Sequence, residues 1–158
     1  MAKLSIQKEG SAILRKKSED VKIIDNNILK LSANMLETME KENGLGLAAP
    51  QVGKSLRLIC VKSKEGNLVF VNPVILKKSF RKNTAEEGCL SVPGIYGYVK
   101  RHNSITLVAE SLERKKLKLK AKGLMARVIQ HELDHLLGIL FTDKVEKNHK
   151  GTKDERKI

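Results

Sequence analysis

The chain has 158 residues and a formal net charge of +13, with 41% hydrophobic and 31% charged residues, 3% aromatics and no Trp. That length supports one domain with a real core and excludes two ordinary ones, and no stretch approaches the ~20 apolar residues of a transmembrane helix. The start, Met1-Ala2-Lys3-Leu4-Ser5-Ile6-Gln7-Lys8, lacks the apolar run of a signal peptide, so a cytoplasmic location is expected.

Asp25 or Asn26 can cap a helix whose apolar positions Ile28, Leu31, Met35 and Met39 recur at three- and four-residue steps. Asn43-Gly44 ends it with residues that tolerate positive φ. From there to about Leu119 the pattern is short and strand-like, and strands are predicted at 56–62, 68–72, 74–80, 98–101, 104–109 and 116–121. Lys64-Glu65-Gly66-Asn67 reads as a hairpin turn between the first two. A second helix, over 124–137, follows Gly123 and stops at Gly138. Long alternation of strands and helices is absent, which disfavours a doubly wound parallel sheet. The expectation is an α+β domain with antiparallel sheets packed around a central C-terminal helix, made metal-bearing and catalytic by its segment Gln130-His131-Glu132-Leu133-Asp134-His135. Residues 1–143 form this single catalytic domain and 144–158 a short basic polar tail, with six Lys/Arg against three Asp/Glu.

The chemistry concentrates in Gln130-His131-Glu132-Leu133-Asp134-His135. Residues four apart share a helix face, so His131 and His135 can reach one ion. Glu132 is then near enough to exchange a proton with a water on that ion. The plainer alternative is a buried His pair satisfied by neighbouring carbonyls. A catalytic tetrahedral site usually has three protein ligands and one open position. Downstream of His135 the carboxylates Asp143, Glu146, Asp154 and Glu155 follow no helical pattern that aims them back, while Cys89 offers a thiolate on a Gly-flanked turn. Cys60, inside the apolar run Leu56-Arg57-Leu58-Ile59-Cys60-Val61, reads instead as an inert core residue. In Gly44-Leu45-Gly46-Leu47-Ala48-Ala49-Pro50-Gln51 small residues let a backbone pass close to a ligand and Gln51 offers an amide donor; a turn followed by a strand is the structural alternative.

Charge adds less. Lys116, Lys118, Lys120 and Lys122 alternate with Leu117, Leu119 and Ala121, as in a half-buried strand with one solvated lysine face. No aromatic platform interleaves the lysines, so sequence-specific nucleic-acid recognition is not expected, although a basic surface facing an RNA-rich particle is reasonable.

Taken together, Gly44-Leu45-Gly46-Leu47-Ala48-Ala49-Pro50-Gln51, Glu87-Gly88-Cys89-Leu90-Ser91 and Gln130-His131-Glu132-Leu133-Asp134-His135 resemble the three ordered patterns of the peptide deformylases, without a mismatch, and the resemblance extends over about residues 12 to 142. It implies hydrolytic removal of the formyl group from the initiator methionine of nascent chains, with release of formate. It also implies one divalent metal ion per chain, Fe²⁺ natively with Zn²⁺ possible, held by Cys89, His131 and His135. Glu132 becomes the proton carrier, and the Gln51 amide and Leu90 backbone N–H become the oxyanion donors. Glu87, Arg101, Gln130 and Asp134 are candidates for orienting the ligands and the Cys89 turn. Leu124, Arg127 and Val128 lie seven, four and three residues before His131, so with Leu45 and Gly46 they can wall a substrate pocket, the Arg127 stem packing while its head reaches solvent. The implied partners are formyl-methionyl nascent peptides and the ribosome surface, with no membrane. The competing functions are a zinc endopeptidase of the H-E-x-x-H type, whose downstream ligand is missing here, and a basic non-enzymatic protein with a structural metal site, for which no fourth ligand stands out.

Overall fold

A computed structural model describes residues 2–146 and the backbone of residues 152–153. The remainder of the expected basic tail lies outside the described residues. Helix α1 spans Asn26–Lys41 and is capped by Asp25, whose side chain accepts a hydrogen bond from the Ile28 N–H at 3.1 Å. Asn43 takes a left-handed conformation just past its end, φ 56°. Helix α2 spans Gly123–Leu136. Gly138 follows it at φ 77°, and a Cβ there would lie 2.5 Å from the Arg15 carbonyl oxygen. No other residue type fits that close approach, so the helix stops where the sequence expects.

Two antiparallel sheets flank α2. The larger contains β1 (Gly46–Ala48), β2 (Leu58–Val61), β3 (Leu68–Lys78), β6 (Ser104–Glu110) and β7 (Lys116–Lys122) in that spatial order. The smaller pairs β4 (Lys82–Cys89) with β5 (Val92–His102), and β5 also pairs with β8 (Thr152–Lys153). Strands β1 and β8 lie outside the predicted strands, and three others depart from expectation as follows. The two strands predicted at 68–72 and 74–80 are one, because Pro73 is absorbed in a register shift between Val71 and Val74 with Asn72 left-handed at φ 50°. The Asn72 side chain then bonds both Val21 N and Val21 O, at 2.8 and 2.9 Å. Strand β4 was not expected at all; its polar residues 82–88 show no apolar alternation, and the pairing with β5 makes it a strand. Cys89 therefore ends a strand where a turn was expected. Strand β5 begins six residues before the predicted start, at Val92 rather than Tyr98.

The core has three parts. Ala126, Ile129, Leu133 and Leu136 of α2 pack on Ile59, Val61, Phe70, Ile105 and Leu107 on the inner face of the large sheet. Met35 and Met39 of α1 cover Leu47, Leu58, Cys60 and Val71 on its outer face. Val92, Val99, Leu140 and Phe141 join the small sheet to the turn after α2. Burying such a side chain is worth roughly 1.5–3 kcal/mol, so α2 is held from both sides, with its polar residues confined between the sheets. The boundary expected at Asp143 falls within a 3-10 turn, Phe141–Lys144, and the chain continues along β5 through a Val99–Val145 bridge and a 2.8 Å bond from Glu146 N to Tyr98 O.

Candidate active site

The last strand residue of β4 and one turn of α2 bring Cys89, His131 and His135 together, with one ligand atom of each within 4.8 Å of the others. Cys89 Sγ lies 3.4 Å from His135 Nε2. His131 turns its Nδ1 to Glu87 Oε1 at 2.8 Å. An ionised carboxylate only accepts, so Nδ1 carries a proton and Nε2 is left for the cysteine side. Phe141 stacks on the His131 ring at 6.0 Å between centroids and fixes its plane.

Glu87 is the hub of a buried ion network. Besides His131 it accepts from Arg101 Nε at 2.9 Å, Arg101 Nη2 at 3.0 Å and Arg127 Nη1 at 2.7 Å. Burial disfavours its charge, yet the bonds from His131 and Arg101 outweigh burial and hold its pKa at about 2. Arg101 extends to Asp134 Oδ2 at 2.5 Å, and Lys144 Nζ reaches the same carboxylate at 3.0 Å. Gln130 ties α2 to β5 by accepting from His102 N and donating to His102 O, at 3.1 and 3.0 Å. Of the residues expected to orient the site, Glu87 bonds a candidate ligand directly, Arg101 holds Glu87 and Asp134 holds Arg101, whereas Gln130 bonds only backbone groups of His102 and Ala126.

Arg127 corrects one expectation. Its head does not reach solvent; the guanidinium turns inward, 7% exposed, donating to Glu87, to the Val99 carbonyl at 2.8 Å and to the Asn83 carbonyl and side chain at 2.9 and 2.7 Å. Helical spacing placed Arg127 on the correct face but gave no sign of these acceptors, which come from β4 and β5. Arg127 still borders the cavity.

Glu132 behaves differently. Burial raises its carboxyl pKa to about 7, and its Oε2 has no hydrogen-bond partner among the described residues. Gly46 makes room for it, since a Cβ there would lie 2.6 Å from Glu132 Oε1 and 2.9 Å from the Val128 side chain. Gln51 is 1% exposed; its Oε1 accepts from Ala48 N at 2.9 Å, and its Nε2 points to Ser91 Oγ at 3.2 Å and Cys89 Sγ at 3.5 Å. A cavity of about 1010 Å³ opens beside these groups and is bordered by every expected catalytic, pocket and ligand residue except His135, which is 1% exposed; the orienting candidates Arg101, Gln130 and Asp134 do not border it. Leu45 and Leu124, 48% and 62% exposed, form its apolar lip. Sequence reasoning missed Asn83, Phe141 and Tyr96. The Tyr96 ring lies so close over Gly88 that a Cβ there would be 2.6 Å away. Of these only Phe141 left a signal, in the apolar run Ile139-Leu140-Phe141 after the helix stop.

The donor set fits a divalent metal ion. One thiolate and two imidazoles are borderline-soft ligands, and three protein ligands leave one position open. Hydrogen bonds with Cys89 and Glu87 overcome burial and push the His131 pKa up to about 10, so a metal ion must displace the Nε2 proton that this ring otherwise holds toward Cys89. His135, buried and beside His131, is held well below its ordinary value and is neutral, as a metal ligand must be. Cys60 lies in the other core, and burial pushes its thiol up to about 12, which leaves it inert.

The family model described as polypeptide deformylase matches residues 3–151. A peptide deformylase of Dictyoglomus turgidum is 48% identical over 141 residues, 89% of this chain and 92% of that protein. The crystal structure of peptide deformylase from Thermotoga maritima superposes with a TM-score of 0.90 at 36% identity, covering 92% of this chain and 99% of the other. A Met-Ala-Ser-bound class I type b peptide deformylase from Acinetobacter baumannii gives 0.87 at 36%, covering 91% and 100%. The fold, the three-donor cluster and these matches agree, and the chain belongs to the polypeptide deformylase family.

Proposed function

We propose that this metal-dependent deformylase acts on formyl-methionyl nascent peptides through a specific division of labour. Cys89, His131 and His135 hold one divalent metal ion, Fe²⁺ in the native enzyme with Zn²⁺ as a substitute. When bound, such an ion acts as a Lewis acid and lowers the pKa of water toward neutrality. Glu132 accepts the proton of the water that attacks the formyl carbon. As the C–N bond breaks it returns that proton to the departing amine, so formate and a free N-terminus leave. The observation that carries the assignment is the unpartnered, buried Glu132 Oε2, with its carboxyl pKa near 7, at the floor of the cavity beside the three donors. A carboxylate with spare hydrogen-bonding capacity and a pKa near the working pH is suited to moving protons.

Gln51 Nε2 and the Leu90 backbone N–H serve the developing oxyanion. The contact between Gln51 and Ser91 supports this, because it holds the amide beside Cys89 before substrate arrives. Leu45, Gly46, Leu124 and Val128, with the Arg127 stem, bound the pocket for an unbranched thioether side chain. The Met-Ala-Ser peptide bound to the Acinetobacter relative is consistent with that shape of ligand. Residues 1–143 carry this activity. No helix among the described residues is long and apolar enough to cross a membrane, and we place the enzyme in the cytoplasm, at the ribosome surface where its substrates emerge. The endopeptidase and structural-metal readings have no comparable support.

Anaerobic purification, metal analysis and formate release from formyl-Met-Ala-Ser test the assignment. Cys89→Ser should lose or exchange the ion, hydroxyl being a far poorer soft ligand than thiolate, while Cys60→Ser should keep full occupancy and lose only stability. Metal occupancy that follows Cys60 would overturn the ligand set.

A further inference from the structure

We propose that the bare half of the outer face of the large sheet is a docking surface for the phosphate backbone of double-helical RNA. Helix α1 covers the outer face only over β1, β2 and the first half of β3. Beyond Val74 the same face is open. Register places Lys116, Lys118, Lys120 and Lys122 of β7 opposite Glu110, Val108, Thr106 and Ser104 of β6, and Lys77 of β3 lies across Thr106 from Lys120. The inner partners Ile105, Leu107, Leu119 and Ala121 are in the core, so these lysines all point outward.

A groove of about 690 Å³ runs over this face, bordered by Lys77, Lys78, Lys118, Lys120 and Lys122 together with Thr106. No carboxylate borders it, and none of the five lysines has an ion-pair partner among the described residues. Alternate strand residues are ~7 Å apart and strands ~4.8 Å apart, so from Lys116 to Lys122 the charge forms a strip about 20 Å long and 10 Å wide. That matches the scale of a duplex backbone, where phosphates follow one another every few Å along each strand. No aromatic side chain borders the groove, so bases of a single strand find no stacking platform. Contacts to phosphates and 2′-hydroxyls are the usual way a protein surface holds duplex RNA.

β7 is an edge strand, and lysines on an edge also discourage strand pairing between molecules. Lys77 lies on the second half of β3, which pairs with β6 alone, so lysines stand on both edges of this part of the sheet. Edge protection does not require that Lys77, Lys118 and Lys120 share one face and border one groove, as they do here. The proposal deepens the ribosome-surface reading above and is independent of the assignment of catalytic residues.

The test is binding of the full chain to a mixed-sequence RNA duplex of about 20 base pairs across a salt series, comparing Lys77→Glu/Lys118→Glu/Lys120→Glu with Lys16→Glu/Lys22→Glu/Lys30→Glu, which changes net charge equally elsewhere. The first triple should weaken binding by roughly 10²-fold at low salt and flatten the salt slope by about three, while the second stays within about 5-fold of the parent. Both should release formate from free formyl-Met-Ala-Ser at the parent rate, and glutamine versions of the first triple repeat the test should charge reversal disturb β7. Equal losses in the two triples, or binding of anionic phospholipid vesicles but not RNA, would overturn the proposal. Co-sedimentation with ribosomes separates the two readings. If it persists in the first triple, this face is not the contact and the ribosome reading stands; if the parent binds neither ribosomes nor duplex, both fail.

Discussion

Glu87 and Glu132 are buried carboxylates that adjoin the same imidazole, His131, yet one accepts four hydrogen bonds while an oxygen of the other accepts none among the described residues. Glu87 sits among Arg101, Arg127 and His131, and stays ionised at a pKa of about 2. Glu132 sits against Gly46 and Val128 at the cavity floor with its pKa raised to about 7 by burial. Saturation and vacancy have different physical consequences. A carboxylate with every lone pair engaged is rigid, and it passes that rigidity to the ring it holds. One with a free oxygen and a pKa near neutrality can gain and lose a proton at little cost. On the roles proposed above, identical side chains become an anchor and a carrier through their neighbours alone.

The largest effect should come from the carrier. Glu132→Gln preserves shape and leaves all four Glu87 bonds intact, but an amide cannot take a proton. kcat should fall by about 10²–10⁴-fold with metal content unchanged. Near-normal turnover in a fully metallated variant would erase the contrast between the two glutamates.

Glu87→Gln should act on the metal first and on turnover through it. It removes the negative charge between Arg101 and Arg127, and breaking a buried pair in this way typically costs ~3–5 kcal/mol. His131 also loses the carboxylate that fixes its tautomer, so metal affinity should drop about 10–100-fold. Metal titration and thermal unfolding on one preparation check both. Unchanged affinity with a lower Tm would make Glu87 an anchor of the fold and not of the site.

Arg127→Met sharpens the comparison at lower amplitude. Arg101 still compensates Glu87, so the carboxylate remains ionised, but the Val99 and Asn83 carbonyls lose a buried donor. Stability should fall by about 1–3 kcal/mol. Metal affinity should change by less than about 10-fold, the weak end of what an orienting contact contributes. A loss as large as that of Glu87→Gln would show that the two arginines act as a unit.

What the sequence displayed of this arrangement follows from which interactions are local. The two helices and the approach of His131 to His135 were legible because helical periodicity and the four-residue spacing lie within one element. Cys89 was legible through its short motif, although its setting at the end of β4 was not. Residues 82–88 of that strand carry no apolar alternation, and only the register with β5 creates it. The same non-locality hid the inward turn of Arg127, whose acceptors are contributed by strands 28 and 44 residues away along the chain. It also hid the single course of β3, because the signal at Pro73 marks a break whether the chain leaves the sheet or only bulges.

The smallest effect concerns an ion pair outside the buried network, which shows what burial adds to Glu87. Arg15 and Asp143 meet at 2.5 Å, but their side chains are 50% and 42% exposed. The Arg15 hydrogen bond holds the Asp143 carboxyl below its ordinary value. A carboxylate whose folded pKa is depressed contributes stability above its unfolded pKa and loses it as pH falls through the folded value. Asp143→Asn keeps an oxygen for the Leu140 N–H, which Asp143 Oδ2 accepts at 3.1 Å, and removes only the charge. The Tm of the variant should therefore sit slightly below that of the parent at pH 6, by less than about 1 kcal/mol of stability as for other exposed pairs. The gap should narrow as pH falls past about 3.9, where the unfolded carboxyl is half protonated, and close below the lower folded value; it should also shrink in high salt at pH 6. A gap that persists at pH 2, or that ignores salt, would mean that the position acts through the shape of the Phe141–Lys144 turn and the stacking of Phe141 on His131, and not through its charge.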